Sequence, residues 1–156
     1  MKTVGIIPAR MGSSRFPGKP LTKIKGKEML LRVYENAANA NLIDHLYIAT
    51  CDEEINQRMT SLGCKVIMTG SHHERCTSRC AEALQKIEKD LNFEFDNIVM
   101  IQGDEPLVKG QQIDQAIDIL KKSQNIEIVN LIGKIESYEE YRDKNTIKVV
   151  FSENNE

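Results

Sequence analysis

Arg10-Met-Gly-Ser-Ser-Arg-Phe-Pro-Gly-Lys19 holds the cations Arg10, Arg15 and Lys19 with no acidic neighbour. Gly12 and Gly18 allow such a backbone to bend close to a ligand. Successive N–H groups can cradle phosphate oxygens, and Ser13 and Ser14 add hydroxyl donors. Charge-assisted hydrogen bonds are strongest toward such groups, so the pattern suits a polyphosphate. A solvated basic turn is the plainer reading of the same residues. Two familiar phosphate motifs do not fit. Five residues separate Gly12 from Gly18 and Pro20 follows Lys19, whereas a P-loop has a shorter spacing and Ser or Thr after its lysine. The dinucleotide fingerprint Gly-x-Gly-x-x-Gly is also missing.

Asp104 supplies the opposite charge. Gln102-Gly-Asp-Glu-Pro106 follows an apolar run, with Gly103 for a sharp turn and Pro106 to stop a strand. A carboxylate facing a triphosphate would repel it. Mg²⁺ between them removes the conflict, because magnesium takes a carboxylate or two plus substrate phosphates. Helix capping or turn chemistry is the alternative role for Asp104; the basic loop on the same sheet edge favours the metal. In Thr69-Gly-Ser-His-His-Glu-Arg-Cys-Thr-Ser-Arg79, the hydroxyls, Arg75 and Arg79 could contact a nucleoside, although an N-cap is the commoner role for Thr77. His72 and His73 read as solvated loop residues rather than catalytic bases. A zinc set of His72, His73, Cys76 and Cys80 lacks the usual Cys-x2-Cys spacing. Cys80 reads instead as core on a helix, and Cys76 as loop lining.

Positioning these groups requires strands that end beside one another. Short apolar runs at residues 3–9, 45–51, 65–69 and 97–101 predict four strands. Helical spacing marks 28–40, the segment with Ile55, Met59 and Leu62, the segment from Thr77 to Leu91, and the segment with Ile113, Ala116, Ile117 and Leu120. Asp52 is placed to cap the second of these helices and Gly63 to stop it. Residues 126–135 and 146–152 predict further strands, with a short helical turn over 138–142. The alternation implies an α/β fold: an open, mostly parallel sheet with helices on both faces, whose ligands bind at the strand C-terminal edge. No repeat, low-complexity linker or domain boundary is evident.

Composition bounds the partners. The chain has 156 residues with 21 Lys+Arg against 23 Asp+Glu, a net charge of −2, which argues against an electrostatic nucleic-acid binder. At 40% hydrophobic and 28% charged residues there is material for a core. The apolar runs are far short of a membrane span, and the N-terminus has no signal-peptide plan. Four cysteines without a secretory signal read as reduced thiols in a cytoplasmic protein.

The opening motif Ile7-Pro-Ala-Arg-Met-Gly-Ser-Ser-Arg-Phe-Pro-Gly-Lys-Pro-Leu21 resembles that of 3-deoxy-manno-octulosonate (Kdo) cytidylyltransferases. Ile48-Ala-Thr-Cys-Asp-Glu-Glu-Ile55, the segment from Met68 to Arg79, Gln102-Gly-Asp-Glu-Pro-Leu107 and Asn145-Thr-Ile-Lys-Val-Val150 resemble further segments of that family, in the same order. The resemblance implies a Rossmann-like, nucleotide-diphospho-sugar transferase-like fold, with residues 1–156 as one nucleotide-binding domain. It implies transfer of CMP from CTP to the anomeric hydroxyl of Kdo for lipopolysaccharide synthesis, with release of pyrophosphate. Arg10, Ser13, Ser14, Arg15 and Lys19 would bind the triphosphate, Thr77 and Arg79 would lie near the nucleoside, Gln102 would bind the sugar acid, and Asp104 would hold Mg²⁺. Arg10, Lys19 and Asp104 would be the catalytic set.

An 8-amino Kdo variant or another acidic sugar, or a non-catalytic CTP-binding module, are the alternative functions. Cys76 and Ser78 stand where the family usually has Gly and an acidic residue, and Cys51 where an acidic residue is common. The family also continues past Lys148-Val-Val into further sugar contacts, a second metal-binding aspartate and much of a dimer surface. The expected whole is therefore a homodimer, with no nucleic acid or membrane partner, and this chain is its nucleotide-binding part, truncated at the C-terminus relative to the family.

Overall fold

The computed structural model describes residues 1–12, 16–123 and 125–150. Strand β1 (Thr3–Ala9) is buried along its whole length. A continuous apolar run of this kind suits a parallel sheet covered on both faces. Four strands run parallel in the order β5-β4-β1-β6, with β4 at His45–Thr50, β5 at Val66–Met68 and β6 at Asn97–Met100. Ile6 pairs with Tyr47 on one side and Met100 on the other, which fixes the register at the centre. A separate antiparallel pair, β2 (Lys23–Ile24) and β3 (Lys27–Glu28), lies between the Arg10–Lys19 loop and the first helix.

Side chains alternate across the sheet with the strand period of two. Ile7 and Ala9 of β1 join a core with Leu30 and Val33 of α1 (Met29–Ala38), Ile55 and Met59 of α2 (Glu53–Ser61), and Ile113 and Ile117 of α4 (Gly110–Lys122). Val4 and Ile6 face the opposite way, against Cys80, Ala83 and Ile87 of α3 (Cys76–Leu91). Each helix presents its apolar residues at three- and four-residue spacing, so each buries one stripe. Helices therefore cover both faces, as the strand–helix alternation predicts.

The path of the chain creates the crevice. From β1 it moves outward through α1, β4, α2 and β5, with both helices on one face. It then crosses the other face through α3 and returns as β6 on the far side of β1. Strand order reverses between β1 and β6, and the segments leaving their C-terminal ends diverge there. Open α/β sheets bind ligands at such a switch point.

The expected C-terminal strands do not form among the described residues. Residues 126–135 and 146–150 have no regular structure, and positions 151 and 152 lie outside the described residues. Ile128, Ile147 and Val150 are exposed. Apolar and β-branched residues give strand propensity, but a strand exists only by pairing, and these segments find no partner among the described residues. The short helix α5 (Tyr138–Arg142) forms where expected, with the Ser137 side chain accepting the Glu140 N–H at 3.0 Å.

Candidate active site

Arg10, Lys19, Gln102 and Asp104 line one open cleft of about 620 Å³ at the switch point, together with Cys76. The volume falls within the ~300–1,000 Å³ range of small-ligand sites. Lys19 Nζ donates to Asp104 Oδ2 at 2.6 Å, joining two segments 85 residues apart. Their side chains are 37% and 50% exposed. An ion pair this open contributes only about 0–1 kcal/mol to stability, so its placement is not explained by a need to hold the fold together.

Local structure explains the convergence. Gly18 adopts φ +74°, a left-handed conformation that suits glycine, and leads into a 3₁₀ turn over Lys19–Leu21 with Pro20 buried beneath it. The Gly18 N–H donates to the Met11 carbonyl at 3.1 Å, closing the base of the loop. On the other side, a Cβ on Gly103 would lie 2.8 Å from the Pro8 carbonyl oxygen. Only glycine lets the elbow after β6 press this closely on β1. The Glu105 N–H closes that elbow onto the Gln102 carbonyl at 3.2 Å, and Asn36 Nδ2 anchors the Pro106 carbonyl at 2.9 Å.

The other candidates fall in different places. Arg10 is exposed at the end of β1 and makes no ion pair with the described residues. Ser13, Ser14 and Arg15 lie outside the described residues. Arg79 is 3% exposed, and its guanidinium donates to Thr69 Oγ1 at 2.5 Å and to the Gly70 carbonyl at 3.2 Å. It borders a small cavity that adjoins Arg10, Arg75 and Cys76. Thr77 is exposed in the first turn of α3 and is not among the residues lining either cavity. The N-cap position of α3 belongs to Arg75, not Thr77.

Three expectations about neighbouring residues are corrected. Cys76 is the first residue of α3 rather than part of the loop, although it does line the cleft. Asp52 occupies the N-cap position of α2 without capping it; its carboxylate accepts the Met11 N–H at 2.8 Å and so holds the start of the basic loop. His73 is not solvated. Its imidazole is 8% exposed, paired with the Glu82 carboxylate and 3.0 Å from Ser78 Oγ.

Sequence reasoning also missed Glu28. It is 4% exposed and accepts two hydrogen bonds from Arg58, at 2.9 and 2.5 Å. The Arg58 hydrogen bond holds its carboxyl below the usual value against the opposing effect of burial. No spacing rule links positions so far apart, and the pair appears only where the end of β3 meets α2 in the fold.

The family model for cytidylyltransferases matches residues 4–156. The chain belongs to the cytidylyltransferase family. It is 44% identical over 156 residues to the 3-deoxy-manno-octulosonate cytidylyltransferase of Thermodesulfovibrio yellowstonii, covering 99% of this chain and 61% of that protein. The protein of the same name from Fusobacterium nucleatum is 40% identical over 154 residues, covering 99% of this chain and 60% of the relative. The chain thus spans about three-fifths of the length of these relatives. A solved structure of CMP:2-keto-3-deoxy-manno-octonic acid synthetase complexed with CTP superposes with a TM-score of 0.75 at 36% identity, covering 81% of this chain and 50% of that one. The sheet and its covering helices are therefore the architecture of this family. No helix among the described residues is long and apolar enough to cross a membrane.

Proposed function

We propose that this chain is the CTP-binding part of an enzyme that transfers CMP from CTP to the anomeric hydroxyl of 3-deoxy-manno-octulosonate and releases pyrophosphate. The juxtaposition of Lys19 and Asp104 in a cleft at the switch point carries this reading. The names of the relatives and the CTP complexed in the superposed structure support it. Residues 1–156 act as one nucleotide-binding domain in this reading, and the whole protein as a homodimer. A reducing cytoplasm suits its four free thiols.

Arg10 and Lys19 meet the phosphate oxygens, with Ser13, Ser14 and Arg15 of the same loop assigned alongside them. Thr77 and Arg79 belong to the nucleoside side; Arg79 acts there by holding the Thr69 hydroxyl and the Gly70 carbonyl. Gln102 hydrogen-bonds the sugar acid. Asp104 Oδ2 already accepts one cation, the Lys19 ammonium, so the position suits a hard divalent ion, and Mg²⁺ is the one proposed. Bound there, Mg²⁺ would neutralise charge developing on the phosphates. Lys19 would exchange its carboxylate partner for a phosphate oxygen, which frees Asp104. The sugar hydroxyl oxygen attacks the α-phosphorus, the bond to the bridging oxygen of pyrophosphate breaks, and the hydroxyl proton is lost to solvent. The protein contributes position and charge, which are the main resources for such a transfer.

Calorimetry with CTP and Mg²⁺, beside a coupled pyrophosphate-release assay with the sugar added, tests the reading. CTP should bind, and Lys19→Ala should weaken binding by about tenfold or more, one lost charge-assisted contact. Unchanged affinity in that variant would remove Lys19 from the phosphate site. Asp104→Ala should abolish metal-dependent turnover in the full-length form without unfolding it.

A further inference from the structure

Outside the cleft, the loop between β5 and α3 gathers a second group of side chains. His72, His73 and Glu82 each bring one ligand atom within 4.8 Å of the others. The two imidazole centroids are 4.1 Å apart. The His72 ring is seated on Gly70, where a Cβ would fall 2.5 Å from its Cε1 and Nδ1 atoms. The loop beneath is fixed from both sides. Both Glu82 carboxylate oxygens accept the Gly70 N–H, at 3.1 and 3.0 Å, and Arg79 binds the Gly70 carbonyl.

The contacts of His73 point the same way. Ser78 Oγ lies 3.0 Å from both the Arg75 carbonyl and His73 Nδ1, so its hydroxyl can serve either as donor or as acceptor to the ring. Nε2 faces Glu82 Oε2 in close contact. A proton shared between Nε2 and Oε2 satisfies His73 and Glu82 alone. It gives no role to the second imidazole seated within ligand distance of both.

We propose that His72, His73 and Glu82 bind a divalent transition-metal ion of the zinc class on the loop leading into α3. Two imidazole nitrogens and one carboxylate oxygen, with water completing the shell, are a donor set that suits Zn²⁺. His73 Nδ1–H on Ser78 Oγ supplies the outer hydrogen bond that orients a metal-bound imidazole. Lys86 occupies the other carboxylate oxygen, Oε1, at 2.8 Å. The metal therefore uses Oε2, and the nearby ammonium lowers its affinity. The thiols are not ligands. Cys80 is buried in the core, where desolvation pushes its thiol up to about 12, and Cys76 lines the cleft. Because His73, Arg75, Cys76 and Arg79 all border the small cavity beside Arg10, an ion here would stiffen one wall of that cavity. The site stands independently of the nucleotide reading.

The test is calorimetric titration of Zn²⁺ into the nucleotide-free chain, with imidazole nitrogen NMR to report His73 tautomers. One equivalent should bind saturably, and the His73 Nε2 resonance should move to that of a metal-bound nitrogen. His72→Ala and Glu82→Gln should each weaken binding by about tenfold or more, and Cys76→Ser should leave it unchanged. No saturable binding, a His73 Nε2 resonance that does not move in excess Zn²⁺, or binding that survives His72→Ala and disappears in Cys76→Ser would each overturn the site. His72 is exposed, so its alanine variant keeps the test decisive even if Glu82→Gln fails to fold.

Discussion

At the scale of single residues, charge and burial separate two kinds of ion pair. Lys19–Asp104 is open to water and, in the proposed function, positions charge for a ligand. Glu28–Arg58 is buried at the carboxylate end and half-exposed at the guanidinium, with side chains 6% and 45% exposed. Its effect on stability has a definite sign. The Glu28 carboxyl ionises below its ordinary value of 4.5 in the folded chain, chiefly through the Arg58 hydrogen bond. The pair therefore contributes fully above that value and is lost as pH falls through the lowered folded value. Glu28→Gln should cost about 1–2 kcal/mol at neutral pH. That is less than the ~3–5 kcal/mol of a fully buried pair, because Arg58 keeps contact with water. Urea unfolding at neutral and acidic pH checks this. The variant should lose less stability than the parent on acidification, and equal losses would show that Glu28 does not drive the acid limb.

At the scale of elements, the site depends on how closely two strand ends approach. The elbow after β6 rests on the Pro8 carbonyl because Gly103 has no side chain. Gly103→Ala forces a shift of the elbow or the strand, and overpacking of this kind costs about 1–3 kcal/mol. The elbow is the easier to move, since it ends in an exposed turn. Asp104 should then separate from Lys19, so CTP affinity should fall together with the unfolding midpoint. A crystal structure of the variant that retained the Lys19–Asp104 contact would count against this account. Asp52 plays the complementary part on the other bank, holding Met11 from the start of α2. The sequence placed Asp52 at a helix start, but it could not show that the carboxylate turns away from its own helix.

At the scale of the whole molecule, the buried apolar residues end at Ile117 among the described residues. The segment after α4 exposes Ile128, Leu131, Ile132, Ile147 and Val150. Deleting residues 125–156 should therefore change unfolding free energy by about 1 kcal/mol or less, the scale of surface changes, and should reduce binding of hydrophobic dyes. Ile48→Ala, by contrast, should cost about 2–5 kcal/mol, because Ile48 is fully buried at the sheet centre. A truncation that unfolded the sheet would mean that the C-terminal segment carries core contacts.

Taken by itself, the sequence determined the strand–helix alternation, the parallel covered sheet, the placement of the basic loop and the acidic elbow on one edge, and the family. These follow from local periodicity, glycine and proline positions, and contiguous motifs, all of which are short-range properties of a chain. Only the tertiary structure decided that Lys19 touches Asp104, that Arg79 is buried beneath its loop, that Asp52 and Glu28 serve distant partners, and that His72 and His73 meet Glu82. Each of these pairs joins residues from different elements, and their meeting depends on strand order and helix packing. The same dependence explains the strands that did not form: the periodicity of residues 126–135 is a local property, whereas pairing needs a neighbouring strand.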